Sequence, residues 1–248
     1  MGSIHGEAHR LVALHARLAP RLNPGDRLVY LGNYLGYGPT ATAALDALIL
    51  FRRLFLARRN AFVGDIAFLR GSQEEMWQKL LELQFAPNPR EVLPWMLDHG
   101  MDATLQSYGV DARQGLAAAR DGVLSLTRWT AALRAAIDAR SGHRQLLSVL
   151  RRAAFSDDGA LLFVHAGVDP TKPLDLQGDI FWWCERDILC LDGPFAGYKR
   201  VVRGIDREHA GIVETNYAAS IDGGSGFGGP LMAACFALDG SIVDRIEA

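Results

Sequence analysis

Three times within its first seventy-five residues the chain passes through a glycine-bracketed polar turn and resumes as a helix. The turns are Gly2-Ser3-Ile4-His5-Gly6, Gly32-Asn33-Tyr34-Leu35-Gly36-Tyr37-Gly38-Pro39 and Arg70-Gly71-Ser72-Gln73-Glu74-Glu75. Arg27 to Leu31 reads as a buried strand that runs into the second turn, and Ala67-Phe68-Leu69 as a short strand that runs into the third. Between them, Glu7 to Ala19 carries Leu11, Leu14, His15 and Leu18 at helical spacing before Pro20, and a second helix spans Thr40 to Leu56. Strand and helix therefore alternate. That pattern restricts the chain to an α/β sheet whose polar turns gather at the strand ends.

The turns carry chemistry-bearing residues, and composition limits what that chemistry serves. With 248 residues, 49% hydrophobic and 22% charged, the chain can bury a sizeable core. A net charge of -2 and a pI near 6.4 provide no basic field for nucleic acid or an anionic membrane surface. Three cysteines, Cys184, Cys190 and Cys235, show no Cys-x-x-Cys spacing, which argues against a disulfide framework or structural zinc and fits a reducing cytoplasm. No apolar run is long enough to span a bilayer, and no signal-peptide pattern opens the chain.

Further along, residues 76–155 read as helices with Trp77, Leu80, Leu81, Trp95, Met96, Leu97, Leu124, Trp129, Leu133 and Ile137 on their apolar faces. Two more turns follow, Phe163-Val164-His165-Ala166-Gly167-Val168 and Val201-Val202-Arg203-Gly204-Ile205-Asp206. Strands are expected over Tyr217 to Asp222, Leu231 to Leu238 and Ser241 to Ile246. The glycine-rich Ile221 to Pro230 reads as a turn between two of these strands, because no helix follows it to offer an N-terminus to phosphate.

In this order the five turns resemble the motif blocks of the calcineurin-like metallophosphoesterase superfamily, most closely its bacterial serine/threonine protein phosphatase and diadenosine tetraphosphatase branch. That branch reads Gly-Asp-x-His-Gly, Leu-Gly-Asp-Tyr-x-Asp-Arg-Gly-Pro, Leu-Arg-Gly-Asn-His-Glu, Val-His-Ala-Gly and Val-x-Gly-His. The resemblance runs along nearly the whole chain. It implies an α/β (α+β) fold, the four-layer αββα sandwich of two mixed β-sheets flanked by helices, as one domain over 1–248 with a helical cap inserted at 76–155. Leu105-Gln106-Ser107-Tyr108-Gly109-Val110 matches a phrase of the family's cap. The family's first block follows an apolar strand, whereas Met1 directly precedes Gly2 here, so the expectation is a start that lies late relative to the fold.

The resemblance also implies six ligand positions around two divalent ions that lie about 3.5 to 4 Å apart. Matched one by one, the first Asp is Ser3, its partner His is His5, and the bridging Asp is Asn33. The third block's Asn is Ser72, the fourth block's His is His165, and the last block's His is Ile205. The orienting or general-acid His is Gln73, which cannot protonate a leaving alkoxide, and the Asp-Arg pair of the second block is Gly36 and Tyr37. At an effective dielectric near 20, a unit charge pair at 4 Å is worth about 4 kcal/mol. Loss of both carboxylates therefore removes several decades of metal affinity.

The expected pocket is bounded by Ser3, His5, Asn33, Ser72, Gln73, His165, Arg203 and Ile205. The reading that follows is a phosphoric ester hydrolase fold that has lost its reaction and serves as a binding or regulatory module, with no cofactor. Its partner is then a protein or a small phosphorylated ligand. An alternative is an active phosphoesterase for a phosphoprotein or dinucleoside polyphosphate, with a remodelled site holding one weakly bound Mn, Fe, Zn or Mg ion through His5, Asn33 and His165. Asp206, His209, Glu7, Glu74 and Asp65 lie near the blocks and could contribute. A third reading is a structural subunit that pairs with an intact paralogue through its cap. Oligomeric state is left open.

Overall fold

The computed structural model describes residues 1–184 and 186–248. The chain is a mixed α/β sandwich. Helix α1 (Ala8–Leu18) buries Leu11, Leu14 and His15 and ends one residue short of the expected Ala19, just ahead of Pro20. Strand β1 (Leu28–Tyr30) leads to α2 (Ala41–Leu56), and β2 (Ile66–Phe68) leads to α3, which starts at Ser72. β1 and β2 pair in parallel, Leu28 to Ile66 and Tyr30 to Phe68, so their carboxyl ends lie side by side.

Six helices follow α2, beginning with α3 (Ser72–Leu81), then α4 (Pro89–Met96), α5 (Asp102–Ser107), α6 (Ala112–Asp121), α7 (Val123–Asp138) and α8 (His143–Ser148). Between α4 and α5 the chain makes a wide turn at Leu97–Met101, where Gly100 takes a left-handed φ of 102°. Trp77, Leu80, Met96, Trp129, Leu133 and Ile137 are buried as their periodicity implies. Trp95 and Leu124 are not, at 47% and 77% exposure. Leu124 stands in the first turn of α7, ahead of the buried stripe that begins at Leu126, and Trp95 instead stacks on His99.

The second half is strand-rich. β4 (Leu161–Val164), β5 (Arg200–Arg203) and β7 (Ala218–Asp222) are parallel neighbours, edged by antiparallel β3 (Ala154–Phe155) and β6 (Gly211–Glu214) in the order β3-β4-β5-β7-β6. The two-residue period shows in what each face buries. Leu162, Val164, Val201 and Ala218 pack with Phe181 and Trp182 of α9 (Ile180–Trp183), while Leu161, Val202, Ala219 and Ile221 pack with Leu31 and Leu69. β8 (Met232–Phe236) and β9 (Ile242–Glu247) form an antiparallel hairpin, each within a residue or two of the expected bounds. Ile221 to Pro230 links β7 to β8 and is followed by a strand, as expected. Among the described residues no helix is long and apolar enough to cross a membrane.

Candidate functional site

Parallel strands point their carboxyl ends the same way, and here four such ends meet. β1 delivers Asn33, β2 delivers Ser72 and Gln73, β4 delivers His165, and β5 delivers Gly204 and Ile205. The turn before α1 adds Ser3 and His5. His5 and Asn33 both adopt left-handed backbone, each at a φ of 52°, which a non-glycine residue takes only where its surroundings hold it.

One carboxylate holds the turn that carries Asn33. Glu74 is buried and accepts four backbone N–H groups: Asn33 and Gly71 at 2.9 Å, Tyr34 at 2.8 Å and Leu35 at 3.1 Å. It ties the turn after β1 to the turn after β2. Burial raises its pKa, and the four N–H groups oppose that rise.

Asn33 is the hub of the side-chain network. Its Oδ1 accepts the Gln73 backbone N–H at 3.0 Å and the Ser72 hydroxyl at 3.2 Å, which turns its Nδ2 to His5 Nε2 at 3.4 Å. His5 Nε2 is then the acceptor, its proton sits on Nδ1, and Nδ1 is buried with no partner. Burial, then the neighbouring His165 and His209, push the His5 pKa down to about 3. His165 donates from Nδ1 to the Leu31 carbonyl at 2.7 Å and leaves a buried, unpartnered Nε2. Burial lowers its pKa to about 4, against the opposing pull of that carbonyl. Both rings are neutral at pH 7.

The other positions have turned away or been filled. Ser3 donates its hydroxyl to the Gly204 carbonyl at 2.8 Å. Gln73 donates from Nε2 to the His99 carbonyl at 2.9 Å, and its Oε1 is unpartnered. Gly36, the position of an Asp in the resembling blocks, has no room for a side chain: a Cβ there would stand 2.6 Å from His5 Nδ1 and 3.1 Å from Gln73 Cδ. Arg203 is locked by Ser220 at 3.1 Å, Asp206 at 2.9 Å and Asp187 at 3.0 Å, so its guanidinium offers no fork to a phosphate. Ile205 stands beside His165 through its backbone, donating to the His165 carbonyl at 3.2 Å.

Access is closed from two sides. Phe227, from the glycine-rich turn, sets its ring edge-on to His5 with centroids 5.2 Å apart, and Tyr37 lies 5.5 Å from His5 and 4.6 Å from Phe227. His209 stacks on Phe227 with centroids 4.5 Å apart, and its Nδ1 pairs with the buried Asp222 at 2.8 Å. On the cap side, His99 and Gly100 sit against Gln73 and Gly36. His5, Asn33 and His165 are consequently at most 1% exposed.

Two divalent ions do not fit this donor set. It holds two imidazoles, an amide and hydroxyls, with Asn33 committed to His5 and Ser72 and with Ser3 committed to the Gly204 carbonyl, and it has no free carboxylate to offset cationic charge. Among the described residues no three His, Cys, Asp or Glu side chains cluster as a metal site. Of the acids that could have contributed, Glu74 faces backbone N–H groups, Asp206 faces Arg203, and Asp65 caps a turn through the Phe62 N–H at 2.7 Å. Glu7 places its Oε1 near Gly38, where a Cβ would meet it at 2.9 Å.

No family model matches the chain, and no curated protein matches it. Among solved structures, a crystal structure of a candidate diadenosine tetraphosphatase is similar over 99% of this chain and 90% of that one, at 19% sequence identity and a TM-score of 0.54. The likeness is one of fold. It shows a shared α/β sandwich architecture.

Sequence reasoning missed the cover. Phe227 is the lone aromatic within a run of glycines, and that isolation was the available signal. The Leu97–Met101 turn gave none, because its contact with Gln73 depends on how the helices stack.

Proposed function

We propose that this protein carries a metallophosphoesterase fold without hydrolase activity and serves as a binding or regulatory module in a reducing cytoplasm, its partner a protein or a small phosphorylated ligand. One observation supports this reading above the rest: Asn33, matched to the bridging carboxylate, is hydrogen-bonded to His5 and Ser72 beneath Phe227 and Tyr37. Without cations, no bound water is acidified to attack phosphorus. The test combines metal analysis of purified protein with turnover of p-nitrophenyl phosphate in manganese. Two equivalents of tightly bound metal together with turnover like that of an intact phosphoesterase would end the reading.

A remodelled, single-metal phosphoesterase is the second reading, and His165 favours it. Its Nδ1–H is pinned by the Leu31 carbonyl, which leaves Nε2 in the tautomer that a metal ligand uses. If hydrolysis is detected and survives alanine at both His5 and His165, this alternative fails.

A further inference from the structure

The net charge of -2 is spread unevenly along the chain. Between Asp46 and Asp65 stand four arginines, Arg52, Arg53, Arg58 and Arg59, and no acidic residue. That stretch is a local field of +4 on an otherwise acidic protein. Among the described residues none of the four pairs with a carboxylate. Arg58 instead donates to the Leu22 carbonyl at 2.6 Å and lies over the Phe55 ring, while Arg53 and Arg59 stand in water.

The same stretch leaves large apolar side chains in water. Helix α2 turns Leu45, Leu48, Phe51 and Phe55 into the core and sets Leu50 and Leu54, one turn apart, on its outer face, with Arg53 three positions after Leu50. The turn that follows adds Phe62 and Val63, and all four outer side chains are 57–70% exposed. Topology holds them away from the pocket. α2 begins beside the turn that carries Asn33 and runs back from it for 16 residues, about 24 Å. Phe62 and Val63 stand ahead of β2, whose carboxyl end reaches the pocket.

We propose that this end of the molecule docks on an anionic lipid bilayer, with Leu50, Leu54, Phe62 and Val63 entering the headgroup layer and the arginines binding lipid phosphates. Interfacial binding grows with buried apolar area and with attraction to anionic lipid, and this patch supplies both together. The guanidinium fork also matches phosphate geometry. A nucleic acid would engage the cations and leave the four apolar side chains in water. A second copy of the chain would set +4 against +4, like charge on like. Docked in this way, the molecule points its pocket away from the bilayer. The inference is independent of the hydrolase question.

The test is co-sedimentation of the full chain with phosphatidylcholine vesicles, either pure or holding about one third phosphatidylserine. The parent should partition onto the anionic vesicles and not onto the neutral ones. Arg53→Ala with Arg59→Ala should weaken that partition by about tenfold or more, because each arginine at an anionic surface adds its own attraction. Phe62→Ser with Val63→Ser leaves the charge alone and should weaken it several-fold. Arg113→Ala with Arg128→Ala is the control: it removes the same charge from exposed positions on α6 and α7 and should leave partition as in the parent. Every substituted side chain is exposed, and equal urea midpoints verify that the variants are folded. No partition of the parent onto anionic vesicles, equal loss in the control pair, or serine variants that bind as the parent does overturns the proposal. A parent that ignores the vesicles but is retained on immobilised polyglutamate would assign the patch to an acidic protein instead.

Discussion

Asn33 turns its side-chain oxygen to the backbone N–H of Gln73, 3.0 Å away, and so joins the ends of two neighbouring parallel strands through a single amide. The same oxygen takes the Ser72 hydroxyl while the nitrogen faces His5. Asn33→Ala strips partners from all three groups at a fully buried position and places alanine at a left-handed φ that asparagine tolerates better. The expected loss is about 2–4 kcal/mol in urea unfolding. A change below roughly 1 kcal/mol would show that the network is incidental.

Glu74 makes a second, sharper case. In Glu74→Gln one oxygen becomes an NH₂ that must face backbone donors rather than accept from them. The expected cost is about 2–4 kcal/mol, with faster amide exchange at Tyr34 and Leu35. Glu75→Gln is the control, because the Glu75 carboxylate pairs with Arg70 and Lys79 rather than with those amides. Equal effects of the two substitutions would remove the assigned role.

Stability should depend on pH through buried imidazoles. Burial lowers the pKa of His5 to about 3 and those of His165 and His15 to about 4, from an ordinary 6.5. The unfolded chain therefore binds more protons in this range. The stabilisation is fully present above about pH 6.5 and is lost as pH falls toward 4. Each unit of lowered pKa is worth about 1.4 kcal/mol, so several kcal/mol should disappear across that window. Urea midpoints at pH 7, 5.5 and 4.5 measure it, and a flat profile would contradict the burial of these rings.

Phe227 covers His5 while leaving about half of its own surface in water, at 49% exposure. Phe227→Ala should therefore cost only about 1–2 kcal/mol, less than a fully buried aromatic. Modification of His5 by diethyl pyrocarbonate, followed by mass spectrometry, should be several-fold faster than in the parent. His165 serves as the internal reference, because Gly32 and Gly71 lie against its ring. An unchanged His5 rate would mean that another group closes the site.

Much of this was legible in the residue order. The alternation of Leu28 to Tyr30, α2 and Ile66 to Phe68 disclosed the parallel sheet, because the two periods of apolar residues are local properties. The grouping of Ser3, His5, Asn33, Ser72, His165 and Ile205 came from the resemblance of their turns to known motif blocks, and the structure sets those turns at neighbouring strand ends. The pairing of Arg203 was not legible: its neighbours Asp187 and Ser220 are 16 and 17 positions away, and only the fold brings them to its guanidinium. Trp95 and Leu124 were misplaced for a related reason, since helical spacing names a stripe without saying where along the helix a partner begins. The aromatic cover needs β7, β8 and the first turn in position, and no local pattern encodes that meeting.

The strain stored in the backbone of His5 and Asn33 has one further outcome. An anion supplied by the chain itself, Glu74, fastens the loop that carries Asn33, so its shape owes nothing to a cation from outside. Dialysis against EDTA should leave the melting temperature where it was. The loop can then stay rigid through a change of side chain at its rim, because the atoms that fasten it are not the ones that face the pocket.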